Sequence, residues 1–201
     1  MPTALKVARF IRQLQFLSVD EPRRKIGAER LPMRNVIFAI NMTIDGCCDH
    51  TKVTGSDEVV EYHTRLMRDV DLLVFGRKTY QLMVPFWPDV AKNHSGTKIA
   101  NEFAQVFDSI EKVVFSQSLD SVEDKKTRVV RSNLQGEVRR LKQEQGGNIL
   151  VGGVALPSQL MALGLIDEYH VVVHPVIVGE GRRLLEGSGQ AETQGLAMTK
   201  V

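Results

Sequence analysis

The sequence predicts an α/β protein with a mostly parallel, mixed central sheet and helices on both faces, a three-layer arrangement. Three observations carry this. From residue 35 onward, short apolar runs suited to strands alternate with segments whose apolar residues recur at helical spacing. The strand runs are near-continuous in apolar character, as in strands buried on both faces. A length of 201 residues, 43% hydrophobic and 25% charged, suits one domain with a sizeable core.

The elements follow in order. In residues 4–17, Leu5, Ala8, Ile11, Leu14 and Leu17 recur at helical spacing, which predicts a short amphipathic helix. Lys6, Arg9 and Arg12 are scattered among these positions, unlike the segregated charge of a signal peptide. Residues 20–32 are charged and Pro-containing and read as a linker. Residues 1–32 are thus expected to be an extension, and 33–201 the domain. Strands are expected at 36–40, 72–75, 112–115, 128–130, 148–151 and 168–178. Ser56 or Asp57 caps a helix through about Arg68, with Val59, Tyr62, Leu66 and Val70 as its stripe. A helical turn is expected at 79–84, then a loop around Pro85, Trp87-Pro88 and 93–96. Ile99, Ala100, Phe103, Val106 and Phe107 mark the next helix. Leu134, Val138 and Leu141 mark another, closed by Gly146-Gly147. The last helix runs from Gly153 to about Leu163. Its Pro157 falls in the first turn, where amides lack intrahelical partners.

Bulk properties exclude several classes. Net charge is +2 with acids and bases interspersed, which gives no electrostatic case for nucleic acid. No apolar run approaches the roughly 18 residues that span a bilayer. Cys47 and Cys48 are adjacent, a poor geometry for a disulfide, and offer no zinc set. They read as reduced thiols of a cytoplasmic protein.

Two segments share one grammar: buried strand, glycine, helix start. They are Phe75-Gly76-Arg77-Lys78-Thr79 and Val151-Gly152-Gly153-Val154. A helix start offers free amides and the positive end of its dipole, and glycine admits close approach of a phosphate. Either glycine alone is an ordinary turn; the pair suggests a pyrophosphate clamp at strand carboxyl ends. Neither a G-x-G-x-x-G fingerprint nor a Walker A lysine loop is present. Ser116-Gln117-Ser118 ends the third strand without a carboxylate, so hydroxyls there, with Arg77 or Lys78, would favour the 2′-phosphate of NADP; a turn or cap is the plainer role. Among acids, Asp45 precedes Gly46 as in a common turn pair, and Glu168 opens the last strand, where acids are usually solvated. His170 and His174 share a strand face but lack a third ligand, so no metal site is expected.

Asn41-Met42-Thr43-Ile44-Asp45-Gly46, Gly76-Arg77-Lys78-Thr79-Tyr80, Phe115-Ser116-Gln117-Ser118-Leu119 and Val151-Gly152-Gly153 occur in this order. They precede Leu165-Ile166-Asp167-Glu168-Tyr169-His170 and Pro175-Val176-Ile177-Val178-Gly179-Glu180-Gly181. Across about residues 33–190 the pattern resembles the dihydrofolate reductase-like family that includes the C-terminal reductase domain of riboflavin-biosynthesis proteins. The resemblance implies a dihydrofolate reductase-like fold, NADPH as hydride donor, and a homodimer. It implies that Gly76, Arg77, Lys78 and Thr79 bind cofactor phosphates, Ser116 and Ser118 lie by the 2′-phosphate, and Gly152 and Gly153 meet the pyrophosphate. Ala39 would offer backbone groups to the nicotinamide carboxamide, and Asp45 and Glu168 would face the substrate as catalytic residues. The implied substrate is a polar heterocycle or sugar amine, as in reduction of 5-amino-6-(5-phosphoribosylamino)uracil. A catalytically inactive nucleotide-binding protein and dihydrofolate reductase itself are the alternatives. The second is disfavoured because Trp87 is the one tryptophan and does not head the first helix of the domain. Family members usually add a strand pair after the Pro-Val-Ile-x-Gly segment, so either a shortened sheet edge or a different terminus is expected before Val201.

Overall fold

The structure is a computed structural model and describes residues 17–18, 33–52, 55–185 and 195–198. The helix expected at 4–17, all but its last residue, and the linker at 20–32 lie outside the described residues. Among the described residues seven strands form one sheet in the order β1-β7-β2-β6-β3-β4-β5. Here β1 is Leu17–Ser18, β2 Val36–Thr43, β3 Val70–Gly76, β4 Glu111–Phe115, β5 Thr127–Val130, β6 Asn148–Val151 and β7 Glu168–His174. β2 to β7 are all parallel, and β1 pairs antiparallel with β7. The fold is therefore the expected α/β class.

Period-two alternation along the buried strands divides the core. Val36, Phe38, Val74, Ile149 and Val151 pack on one face with Leu160 of α6 (Ala155–Ala162) and Val138 of α5 (Leu134–Gln143). Ile37, Leu73, Phe75, Val114 and Leu150 pack on the other. They meet Leu66 of α1 (Asp57–Arg68) and Phe103 and Phe107 of α4 (Lys98–Ser109). Burying one such side chain contributes about 1.5–3 kcal/mol. Ser56 caps α1 by accepting from the Val59 amide at 3.4 Å, and Thr97 caps α4 through the Ala100 amide at 3.2 Å.

Three expectations change. α2 starts at Arg77, two residues early, and runs to Met83. The loop expected after it is a helix, α3 (Phe86–Asn93). Its Pro88 occupies the first turn, where a missing N–H costs nothing, and His94 ends it with φ 50°. Trp87 is drawn in by Phe103, ring centroids 4.4 Å apart. β7 stops at His174, not 178, because Pro175 has no amide for the ladder. No helix among the described residues is long and apolar enough to cross a membrane.

Candidate active site

All six parallel strands end on one side of the molecule. There a cleft of about 1010 Å³ crosses the sheet edge, reached by Ile40 of β2, Gly152 after β6, Gly76 of β3, Phe115 of β4 and Val130 of β5. β3 and β6 are neighbours in the sheet, so their terminal glycine turns sit side by side. Gly153 has φ +93°, and a Cβ there would strike the Thr79 hydroxyl. A Cβ on Gly152 would lie 3.1 Å from the Phe75 ring. The two glycine segments singled out in the sequence thus form a single bare-backbone cradle. Gly76 is less constrained, a Cβ there meeting Leu156 at an ordinary 3.6 Å.

Neither α2 nor α6 has a side-chain cap, so their first amides are left to a ligand or water. Val154, Ala155 and Leu156 of the α6 start line the cleft. So do Arg77, Lys78 and Thr79. Arg77 donates to Gln81 at 3.2 Å and pairs with no acid among the described residues.

Ser116 is buried in the cleft wall; its oxygen accepts from the amides of Ser118 (3.2 Å) and Leu119 (3.0 Å), which leaves its proton to donate. The fold puts Gln117, not Ser118, on the wall. Ala39 packs its side chain into the core on the α1 side, while Ile40 reaches the cleft. The register of β2 with β6 ends at Phe38 and Val151, so β2 opens into the cleft just beyond that pair.

The two acids are not brought together. Asp45 stands in the loop after β2 and is off the cleft wall. Its carboxylate accepts from the Thr43 hydroxyl (2.6 Å) and from the amides of Val178 (3.3 Å) and Gly179 (2.9 Å). The Thr43 hydroxyl foremost, then these amides, hold its pKa down at about 2. It is an ionised acceptor that ties the β2 loop to the loop after β7. Glu168 opens β7, in register with Ile37, whereas the cleft lies where these strands end. Its carboxylate bonds His170 Nε2 at 2.5 Å, and His170 Nδ1 meets the Tyr62 hydroxyl. The His170 contact lowers the Glu168 pKa against the opposing effect of burial. Sequence position alone could not show that strand opening and ligand edge lie at opposite ends.

His170 and His174 share a buried face, as expected. Among the described residues no group of three His, Cys, Asp or Glu could hold a metal ion. Cys48 lines the cleft, but burial raises its thiol pKa to about 11.

The sequence reading passed over Arg131-Ser132-Asn133 and the cluster of Asp49, His50 and Arg182, all on the cleft wall. Arg131 to Asn133 had a readable signal: strand, basic residue, hydroxyl, helix cap. Asn133 caps α5 at φ 54° through the Gly136 amide. Arg182 had none, since only the folding of two distant loops brings it there. The wall carries Arg77, Lys78, Arg131 and Arg182 against one carboxylate, Asp49, which accepts from both the amide (2.9 Å) and hydroxyl (2.8 Å) of Thr51.

The family model of the RibD C-terminal domain matches residues 34–201. The uncharacterized protein YyaP of Bacillus subtilis (strain 168) is 28% identical over 163 residues, 77% of this chain and 81% of that protein. Among solved structures, a putative riboflavin biosynthesis protein from Shewanella sp. PV-4 is similar with a TM-score of 0.55 and 20% identity, over 74% of this chain and 81% of that one. Dihydrofolate reductase from Enterococcus faecalis, complexed with NADP(H), is similar with a TM-score of 0.50 and 11% identity, over 76% and 77%. At these identities the structures speak to the fold, which is dihydrofolate reductase-like. With its parallel sheet, its glycine cradle and a match from Arg34 to the last residue, the chain belongs to the RibD C-terminal domain family.

Proposed function

We propose that the protein is an NADPH-dependent oxidoreductase. The observation that carries this is the cradle of Gly152, Gly153 and Thr79 at the centre of a basic cleft. A Cβ would fill that cradle, so its exposed backbone suits a pyrophosphate. From β2 to β5 the cleft crosses four strand spacings, roughly 19 Å at about 4.8 Å each, room for an extended dinucleotide. On this reading Ser116, Arg131 and the Arg77-Lys78 pair hold the 2′-phosphate at the β4/β5 side. The backbone of Ala39 and Ile40 receives the nicotinamide at β2. Bound NADPH supplies a hydride to an electrophilic carbon; the chain supplies orientation and exclusion of water. Asp45, off the wall itself, acts by tying the loop after β2 to the loop after β7, and Glu168 has no place in the cleft. The substrate is a polar heterocycle or sugar amine of the kind reduced in riboflavin biosynthesis. A homodimer, which rests on the resemblance, and a cytoplasmic location, which rests on the adjacent cysteines, belong to the same reading.

The test is thermal stability with added nucleotide. NADPH at a hundredfold excess over its Kd should stabilise the protein by about 2.7 kcal/mol, and NADH by less. No shift with either at millimolar concentration overturns the proposal. A second reading, nucleotide binding without hydride transfer, is favoured by one observation: Asp49, the one carboxylate among the lining residues, is already committed to Thr51. Loss of NADPH absorbance in single turnover with the phosphoribosylaminouracil separates the two.

A further inference from the structure

We infer that Arg182 recognises an anionic group of the substrate, a phosphate or carboxylate, at the β2/β7 end of the cleft. The inference rests on the cofactor placement above. Arg182 and Arg183 are adjacent, yet their fates differ. Arg183 donates to the Asp45 carbonyl and, at 3.4 Å, to the Gly179 carbonyl, and lies 3.9 Å from the Asp45 carboxylate. Arg182 turns to the cleft, and among the described residues its guanidinium has no acceptor.

Its backbone is held in place. The Arg182 carbonyl accepts from the Cys48 amide at 2.7 Å, Cys47 and Arg183 form a β-bridge, and the Leu184 amide reaches the Gly46 carbonyl at 3.4 Å. Gly181, at φ +114°, lies so close to Cys47 that a Cβ would come within 2.6 Å of its sulfur. Two loops are thus clipped together with one guanidinium presented inward. His50 lies on the same wall, while Asp49 is engaged by Thr51.

The other cations of the wall, Arg77, Lys78 and Arg131, follow β3 and β5. They lie with the cradle, where the cofactor phosphates are placed. Arg182, on the loop after β7, is clipped to the loop after β2, the strand where the nicotinamide is placed, and not to the turns that carry the other cations. A presented, unpaired guanidinium fits a planar carboxylate or a phosphate through two parallel hydrogen bonds.

The experiment is calorimetric titration of ribose 5-phosphate, ribonate and ribose into NADP⁺-saturated protein, wild type and Arg182→Gln. Ribose 5-phosphate or ribonate should bind the wild type, and whichever binds more tightly names the anion. Arg182→Gln should weaken that binding at least tenfold, Arg182→Lys should restore part of it, and ribose should not bind. The NADP⁺ affinity should stay within twofold. Equal binding of the anion to wild type and Arg182→Gln overturns the inference, as does binding of neither anion to the wild type. A tenfold loss of NADP⁺ affinity in Arg182→Gln also overturns it, by giving the arginine to the cofactor. If NADP⁺ fails to bind the wild type, the proposed function falls. The same titrations without nucleotide then judge Arg182 alone.

Discussion

The two edges of the sheet treat charge in opposite ways. At the edge where the parallel strands begin, the cations are committed. Arg34, buried, pairs with Asp71 and donates to the Gly147 carbonyl at 2.6 Å. Lys112, also buried, lies 3.6 Å from Asp124 and donates to the Ile110 carbonyl at 2.8 Å. Arg128 meets Glu137 at 2.6 Å, and Lys142 meets Asp167 at 2.5 Å. At the edge where the strands end, Arg77, Lys78, Arg131 and Arg182 have no carboxylate partner among the described residues. Pairing at one edge satisfies groups the core would otherwise leave desolvated. Its absence at the other leaves cations for a ligand that brings its own negative charge. Local charge commitment, more than the net charge of +2, separates scaffold from site.

The largest effect should come from the strand-start edge. Arg34→Ala leaves the Gly147 carbonyl without this donor and Asp71 without its cation, though the Gly147 amide still donates to Asp71 at 2.7 Å. Asp71 is about half exposed and can hydrate, so the expected loss is about 2–3 kcal/mol rather than the full cost of a buried pair. That corresponds to a melting point lower by roughly 5–10 °C in a chain of this size. Nucleotide affinity of the folded variant should stay within twofold by titration. A large loss of affinity would mean the two edges are not independent.

Next is Gly153→Ala, at the centre of the other edge. The side chain would be strained at φ +93° and would press on Thr79. The strain costs about 1–3 kcal/mol. The cradle should also close, with at least tenfold weaker NADPH binding. Affinity unchanged would remove the cradle from the cofactor site.

Both glycine turns were legible because strand–glycine–helix is a local pattern, and each segment lies within a few residues of Gly76 or Gly152. The parallel sheet was legible because the apolar runs of β3, β4 and β6 need cover on both faces. What escaped depends on long-range placement. Glu168 looked suited to catalysis until the direction of β7 put it at the wrong edge. Asp45 was found, but its role depends on the amides of Val178 and Gly179, more than 130 residues away. Trp87 and Pro88 read as loop because proline hides a helix start, and the pull of Phe103 is a tertiary contact.

A smaller effect separates the cations of the cleft. Arg131→Ala should weaken NADPH about tenfold, roughly 1.4 kcal/mol, and NADH hardly at all. Its guanidinium donates to the carbonyls of Gln117 (3.4 Å) and Asp120 (3.1 Å), which keeps it beside Ser116 without neutralising it. Arg77→Ala with Lys78→Ala should show the same preference. Equal losses for both nucleotides would remove the 2′-phosphate from this end.

The smallest effect is in pH, and it reads the two edges separately. His63 bonds Asn41 at 3.1 Å near the end of β2. Burial, then the neighbouring His170 and His174, pushes its pKa down to about 4. The unfolded chain takes up this proton near pH 6.5, the folded chain only near 4. The unfolded state therefore binds more protons in that window, and acidification from 6.5 to 4 removes stability. Glu137 lies at the strand-start edge. Its pKa is held at about 2, first by Arg140 and then by Arg128, so its contribution is complete above about 4.5 and is lost only as pH falls toward 2. Urea midpoints from pH 8 to 2 should show both declines. His63→Gln should flatten the upper one and leave the lower, whereas Glu137→Gln should leave the upper and reduce the lower, to which Asp45 also contributes. If His63→Gln leaves the upper decline intact, the imidazole beside Asn41 is not held neutral by its surroundings, and the ligand edge tolerates charge under α1 as readily as it does on the cleft wall.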